Sequence, residues 1–167
     1  ILHRQDGPEQ SAEAEQIGRL PDATAAKLRD TGLMRMLQPN KYGGYEAHPN
    51  DFLKAVMATA ANDPSTGWIA GVVGVHPWET ALNDDRLQAE LWAEDNNVWM
   101  ASPYAPMGMA VPTEGGYILN GRWSFSSGTD HCNWLVIGAL VGDAQGKPVQ
   151  PFQSLHVMLP RPDYTII

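Results

Sequence analysis

The sequence has one cysteine, Cys132, few basic residues and no long apolar run. A single cysteine excludes an internal disulfide framework and any multi-cysteine zinc or iron–sulfur site, and it fits a reducing cytoplasm. With 11 Lys and Arg against 19 Asp and Glu, the formal charge is −8. An acidic surface repels phosphate backbones, which argues against a nucleic-acid partner. The longest weakly polar run, residues 67–78, contains Gly71, Gly74, His76 and Pro77. It falls short of the ~20 apolar residues that span a bilayer. Residues 1–20 carry acidic and polar groups from the start, unlike a secretion signal. A soluble cytoplasmic protein is the expectation. The common fingerprints are missing as well: there is no strand-linked GxGxxG, no GxxxxGKS/T, no HExxH and no GxSxG. The five histidines form no helical i, i+4 pair, so no metal site is expected.

What is present suffices for a core: 43% of the 167 residues are hydrophobic, and six are Trp. Composition changes near residue 96. Before it, apolar residues recur at helical spacing. Leu20-Pro21-Asp22 opens a helix that Gly32 stops, and Pro49-Asn50-Asp51 opens another with Phe52, Ala55, Val56 and Ala60 on one face. Asp63 caps a third, rich in Gly and Ala, which Pro77 ends or kinks. A fourth spans residues 84–93. After residue 96 the pattern is that of strands, at 98–101, 116–119, 122–125, 134–141 and 154–159. Asn120-Gly121 is the sharpest turn signal, because a type I′ hairpin needs two positive φ angles. Helices followed by strands make an α+β protein. Residues 163–167 read as a strand that stops without a polar tail, which suggests a piece of a longer protein.

Three segments could carry chemistry. His76 lies in Gly74-Val75-His76-Pro77-Trp78, where a helix should stop. The helix dipole there favours a histidine, and a histidine at an element end can also accept a proton near neutral pH. Ser102-Pro103-Tyr104 follows a strand. In Trp123-Ser124-Phe125-Ser126-Ser127-Gly128, serines alternate with aromatics. That mix suits a polar, flat ligand lying against the segment. Strand alternation offers a plainer account, with Ser124 and Ser126 in solvent and Trp123, Phe125 and Ser127 in the core. Asp130-His131 resembles a dyad, but neighbours on a strand face opposite ways.

Leu37-Gln38-Pro39 with Tyr42-Gly43-Gly44, Ser65-Thr66-Gly67-Trp68, Gly74-Val75-His76, residues 102–107 and residues 115–134 carry a family resemblance. They resemble the oxygenase components of two-component flavin-dependent aromatic (phenol) monooxygenases, which have the acyl-CoA dehydrogenase fold. The resemblance is strongest to secosteroid-ring 4-hydroxylases, with 4-hydroxyphenylacetate 3-hydroxylases as relatives. Trp123, Phe125, Ser126, Ser127, Gly128, Asp130 and His131 carry its most specific motif.

The resemblance implies an N-terminal helical domain (1–95), an incomplete antiparallel β-barrel domain (96–167), and a C-terminal four-helix bundle that is missing from this chain. It implies that Trp68, Ser102, Pro103, Tyr104, Phe125, Ser126 and Ser127 hold the flavin ring. His76 and Ser102 would polarise or deprotonate a phenol, and Ser127 would lie near the flavin N5. The activity implied is ortho-hydroxylation of a phenol through a flavin C4a-hydroperoxide. It would use O2 and reduced FMN or FAD from a separate NAD(P)H-dependent flavin reductase, in a homotetramer built by the bundle. An acyl-CoA dehydrogenase of the same fold, or a non-catalytic interaction module, are the alternatives.

Overall fold

The computed structural model describes residues 7–167, with side chains from Ser11 onward. Helices come first: α1 (Gly7–Ile17), α2 (Asp22–Asp30), α3 (Pro49–Ala60), α4 (Pro64–Gly74), α5 (His76–Ala81) and α6 (Asp85–Trp92). Strands follow: β1 (Met100–Ala101), β2 (Gly108–Thr113), β3 (Gly116–Gly121), β4 (Trp134–Val141) and β5 (Ser154–Pro160). The α+β expectation holds in this order. α1 and β2 had no clear signal in the sequence.

Cap chemistry sets several helix starts. The Asp63 carboxylate accepts from the Ser65 amide and the Thr66 hydroxyl, and Ser11 of α1 donates to it as well. His48 and Asp84 accept from amides two residues on, at the starts of α3 and α6. Each satisfies an amide that the first helical turn leaves unpaired. Pro77 does not end the helical stretch. It lies in the first turn of α5, where its missing N–H costs nothing, so the chain kinks between Gly74 and His76 and resumes.

β4 is the centre of a five-stranded sheet. β5 pairs along one edge antiparallel, while β1 and then β2 take the other edge in parallel. β3 pairs with β2 antiparallel at the outside. The sheet is therefore mixed, a correction to the antiparallel expectation. β3 and β4 lie on opposite sides of β2, so the 122–133 segment must cross over and return β4 in the direction of β2. Among the described residues the sheet is open.

Three local expectations are overturned. Asn120-Gly121 is not a turn: it extends the ladder, opposite Met109 and Gly108, and the ring of Trp123 lies over this pair. The hairpin turns instead at Glu114-Gly115. Residues 122–125 form no strand, because Phe125 takes a left-handed φ of 58°. The end of the chain is a 3-10 turn, Arg161–Asp163, followed by irregular backbone rather than a strand.

The main core joins both halves, with Leu28, Met34, Phe52 and Val73 from the helical part packed against Trp99 and Ile137. Arg29 reinforces the seam: its guanidinium lies 4.0 Å over the Trp99 ring and donates to the carbonyls of Asn97 and His131, each at 2.7 Å. A smaller cluster joins Leu91 and Trp92 to Val98, Met100 and Val136. Among the described residues no helix is long and apolar enough to cross a membrane.

Asp63 is buried and joins α1 to α4 through one carboxylate. Asp63→Ala should lower unfolding free energy by about 1–2 kcal/mol, the usual cost of losing a helix cap. Urea denaturation measures it, and an unchanged midpoint would show that the cap contributes nothing.

Candidate functional site

One cleft, about 290 Å³, is lined by Trp68, Val72, Val75, His76, Ser102, Tyr104, Phe125 and Ser127. That volume is at the lower end for small-molecule sites. The lining comes from α4, the start of α5, the loop after β1 and the crossover segment before β4. Six of the residues singled out in the sequence thus share one concavity. Pro103 and Ser126 do not line it. Pro103 is buried and its carbonyl accepts from the Gly138 amide, while Ser126 accepts from the Thr129 hydroxyl through both its carbonyl and its own hydroxyl. Asp130 and His131 are not a dyad on a strand. They lie in a 3-10 turn, and the His131 ring meets the Leu20 carbonyl at 2.9 Å.

Two glycines set the walls. At Gly128, φ is +85°, and a Cβ would meet Val73 Cγ2 at 2.9 Å. A side chain there would be strained and would push the crossover segment off α4. With the segment held close, the indole N–H of Trp68 donates to the Ser127 hydroxyl at 3.1 Å. At Gly138 of β4, a Cβ would lie 2.0 Å from the Tyr104 carbonyl, so the loop after β1 can cross β4 only because no side chain is there.

The plain strand-alternation account of the 123–128 segment fails at Phe125, which is 95% exposed rather than in the core. Trp68 is also mostly exposed, so two large aromatic faces border the cleft without protein cover. Isolated exposed aromatics are ordinary. Two of them flanking a concavity that also holds hydroxyls and an imidazole describe a place for a flat ring with polar edges.

His76 is 1% exposed. Its Nδ1 lies 3.0 Å from the Tyr104 hydroxyl and 3.3 Å from the Glu79 carboxylate, while Nε2 is buried and makes no hydrogen bond. Burial pushes the imidazole below its ordinary pKa, against the opposing pull of Glu79 and of the Val72 carbonyl. The Tyr104 hydroxyl donates to Glu79 in a short hydrogen bond. Burial and that neighbouring carboxylate together push the phenol of Tyr104 well up, with the Ser102 hydroxyl acting in the opposite sense. For Glu79 burial acts upward, but hydrogen bonds from Tyr104, His76 and His156 outweigh it and hold the carboxyl below its usual range. His156 of β5 lies 3.5 Å from the other Glu79 oxygen and stacks on the Tyr104 ring at 4.6 Å.

Glu79 and His156 went unread in the sequence. Glu79 follows His76 by three residues in a helix, a spacing that places side chains side by side, so a signal existed. His156 had none: only the pairing of Gly138 with His156 across β4 and β5 brings it here.

No family model matches the chain. Over 93% of its length it is 54% identical to a pigment production hydroxylase of Rhodococcus erythropolis, covering 39% of that protein. Over 95% of its length it is 42% identical to the oxygenase subunit HsaA, a flavin-dependent monooxygenase of Rhodococcus jostii, covering 40% of it. Its fold superposes on the crystal structure of 3-HSA hydroxylase from Rhodococcus sp. with a TM-score of 0.90 at 40% identity, covering 98% of this chain and 41% of that one. The resemblance read from the residues therefore stands: the chain is a relative of flavin-dependent oxygenase components. It spans about two-fifths of the length of these relatives.

His76 is buried with its pKa lowered, so as pH falls the unfolded chain takes up a proton first, near the ordinary value of about 6.5. Stability is then full above about pH 6.5 and lost as pH drops below it. Between about pH 7 and 5.5, above the range in which carboxylates titrate, the wild type should lose stability on acidification. His76→Gln should flatten that slope in chemical denaturation, and equal slopes in the two proteins would contradict the assignment.

Proposed function

We propose that this chain is the helix-and-sheet part of the oxygenase component of a two-component flavin-dependent monooxygenase, hydroxylating a phenolic ring ortho to its hydroxyl. The observation that carries the reading is the cleft in which His76, whose Nε2 has no hydrogen-bond partner, the Ser102 hydroxyl and the Trp68–Ser127 pair face a common space beside the exposed ring of Phe125. The names of the relatives, a flavin-dependent oxygenase subunit and two hydroxylases, support it.

The residues present fit a flavin. Phe125 and Trp68 offer aromatic faces, and Phe125 holds a left-handed backbone while almost wholly exposed, which is a costly arrangement for a bulky side chain. The Ser127 hydroxyl accepts from Trp68 with one lone pair, so a second lone pair remains to accept from the N5–H of a reduced flavin. Ser102 and Tyr104 border the same ring site, and Pro103 and Ser126 act there as the framework behind it. Reduced FMN or FAD, delivered by a separate NAD(P)H-dependent reductase, supplies the activation of O2 when bound.

The chain's own residues handle the phenol. A free phenol has a pKa of about 10, so its ring is poorly activated at neutral pH. His76, kept neutral by burial, takes up the phenolic proton, and Ser102 hydrogen-bonds the phenolic oxygen. Both acts enrich the ring carbon beside that oxygen. The apolar Val72 and Val75 exclude water from the same space.

The finer architecture belongs to this proposal. Residues 1–95 and 96–167 act as a helical and a β domain, and the remaining length of the relatives closes the sheet into a barrel and adds a four-helix bundle that builds a homotetramer. The secosteroid-type phenols fit as substrates through the relationship to 3-HSA hydroxylase. The working place is the cytoplasm, where the reductase would be at hand.

His76→Ala tests the reading in the complete protein. It should leave the affinity for reduced flavin unchanged and slow hydroxylation by about 10²–10⁴-fold, the usual contribution of a positioned base, with electrons diverted to hydrogen peroxide. Product formed per NAD(P)H consumed measures it. Unchanged coupling would remove His76 from the chemistry, and reduction of a tightly held flavin by an acyl-CoA would replace the reading with a dehydrogenase.

A further inference from the structure

The Glu79 carboxylate ties together three side chains that no simple packing need would assemble: buried His76, Tyr104 and half-exposed His156. Counting hydrogens in this group fixes the state of the imidazole. The Tyr104 hydroxyl has one hydrogen, and it is committed to the carboxylate in the shortest contact of the cluster. Its oxygen can then only accept from His76 Nδ1, which lies 3.0 Å away. The ionised carboxylate, 3.3 Å from the same nitrogen, is also purely an acceptor. Both neighbours of Nδ1 demand a donor, and the Val72 carbonyl, the other acceptor that acts on the ring, makes no hydrogen bond with Nε2. The proton of the neutral ring therefore resides on Nδ1, and Nε2 carries the lone pair.

We infer that Glu79, with Tyr104 as its clamp, is a positioning residue that locks His76 in the Nδ1–H tautomer, so that the unpartnered Nε2 is the atom that takes up the phenolic proton. The inference rests on the proposed function and deepens it. The transfer balances: the O–H bond of the phenol breaks, an N–H bond forms at Nε2, and the phenolate and imidazolium that result are a charge pair in place of two neutral groups. Glu79 stabilises the imidazolium through the Nδ1–H it already holds. Among the described residues, the titratable groups around the ring are Glu79 and Tyr104, with His156 reaching it through the second oxygen of Glu79. Tyr104 also keeps the carboxylate from turning away. Its own position is fixed from the other side by the stack on His156 and by the close crossing at Gly138.

Two measurements on the complete protein test this. Neutron diffraction without flavin should show deuterium on Nδ1 of His76 and none on Nε2. Deuterium on Nε2 with a bare Nδ1 would overturn the inference. In the second, Glu79→Gln replaces the fixed acceptor by an amide whose NH2 can donate to Nδ1 and allow the other tautomer. Coupled hydroxylation should fall at least tenfold at neutral pH, with the dissociation constant of reduced flavin unchanged. Glu79→Asp should recover part of the loss. The double variant His76→Ala/Glu79→Gln should be no worse than His76→Ala alone, because residues acting through one another are not additive. Raising the pH toward the phenol's own pKa of about 10 should restore coupling in Glu79→Gln, since the substrate then arrives ionised. A loss that persists at high pH, or that adds to the His76 variant, would mean a merely structural role. If His76→Ala itself leaves coupling intact, the functional reading fails; if only His76→Ala uncouples and Glu79→Gln does not, the tautomer lock fails alone.

Discussion

The approach of the crossover segment to α4 is the constraint on which the site depends. Gly128 lies where any side chain would press into Val73, and its left-handed backbone turns the segment so that Ser127 meets Trp68. One wall of the cleft is thereby fastened to the helix that leads into His76. The opposite wall depends on a second close crossing, where the loop after β1 passes over Gly138. Both contacts are backbone against core. They are stiff, because packed interiors resist small displacements. Ser102, Tyr104 and His76 are held in place through them rather than by the cleft itself.

Charge in the cleft is arranged on the same principle. A buried imidazole is costly as a cation, so desolvation favours the neutral ring, and a carboxylate three residues along the helix limits how far that goes. The pairing of a desolvated base with a single anion behind it is a recurrent solution for proton transfer near neutral pH.

Much of the fold was legible where chemistry is local. Asp63 and Pro49 mark helix starts because capping and a missing N–H act within one turn, and β4 announces itself by its apolar run. Asn120-Gly121 misled because the ring of Trp123, from beyond the strand, covers the pair and makes continued pairing better than turning. Phe125 misled because alternation assumes a strand, and the positive φ ends it. The site divides in the same way. His76, Ser102 and Ser127 were found by residue type and by resemblance, whereas the convergence of six such residues on one cleft required the crossings at Gly128 and Gly138. His156 was invisible, since its place depends on strand register alone.

The proposed function requires that a flavin ring and a phenol occupy the same cleft, side by side. A crystal structure of the complete protein with flavin and a phenolic substrate bound tests it most directly. The flavin ring should lie against Trp68 and Phe125, with Ser127 at its nitrogen edge and the phenolic oxygen within hydrogen-bonding distance of His76 Nε2 and Ser102. Flavin bound elsewhere, with this cleft filled by another part of the protein, would contradict it.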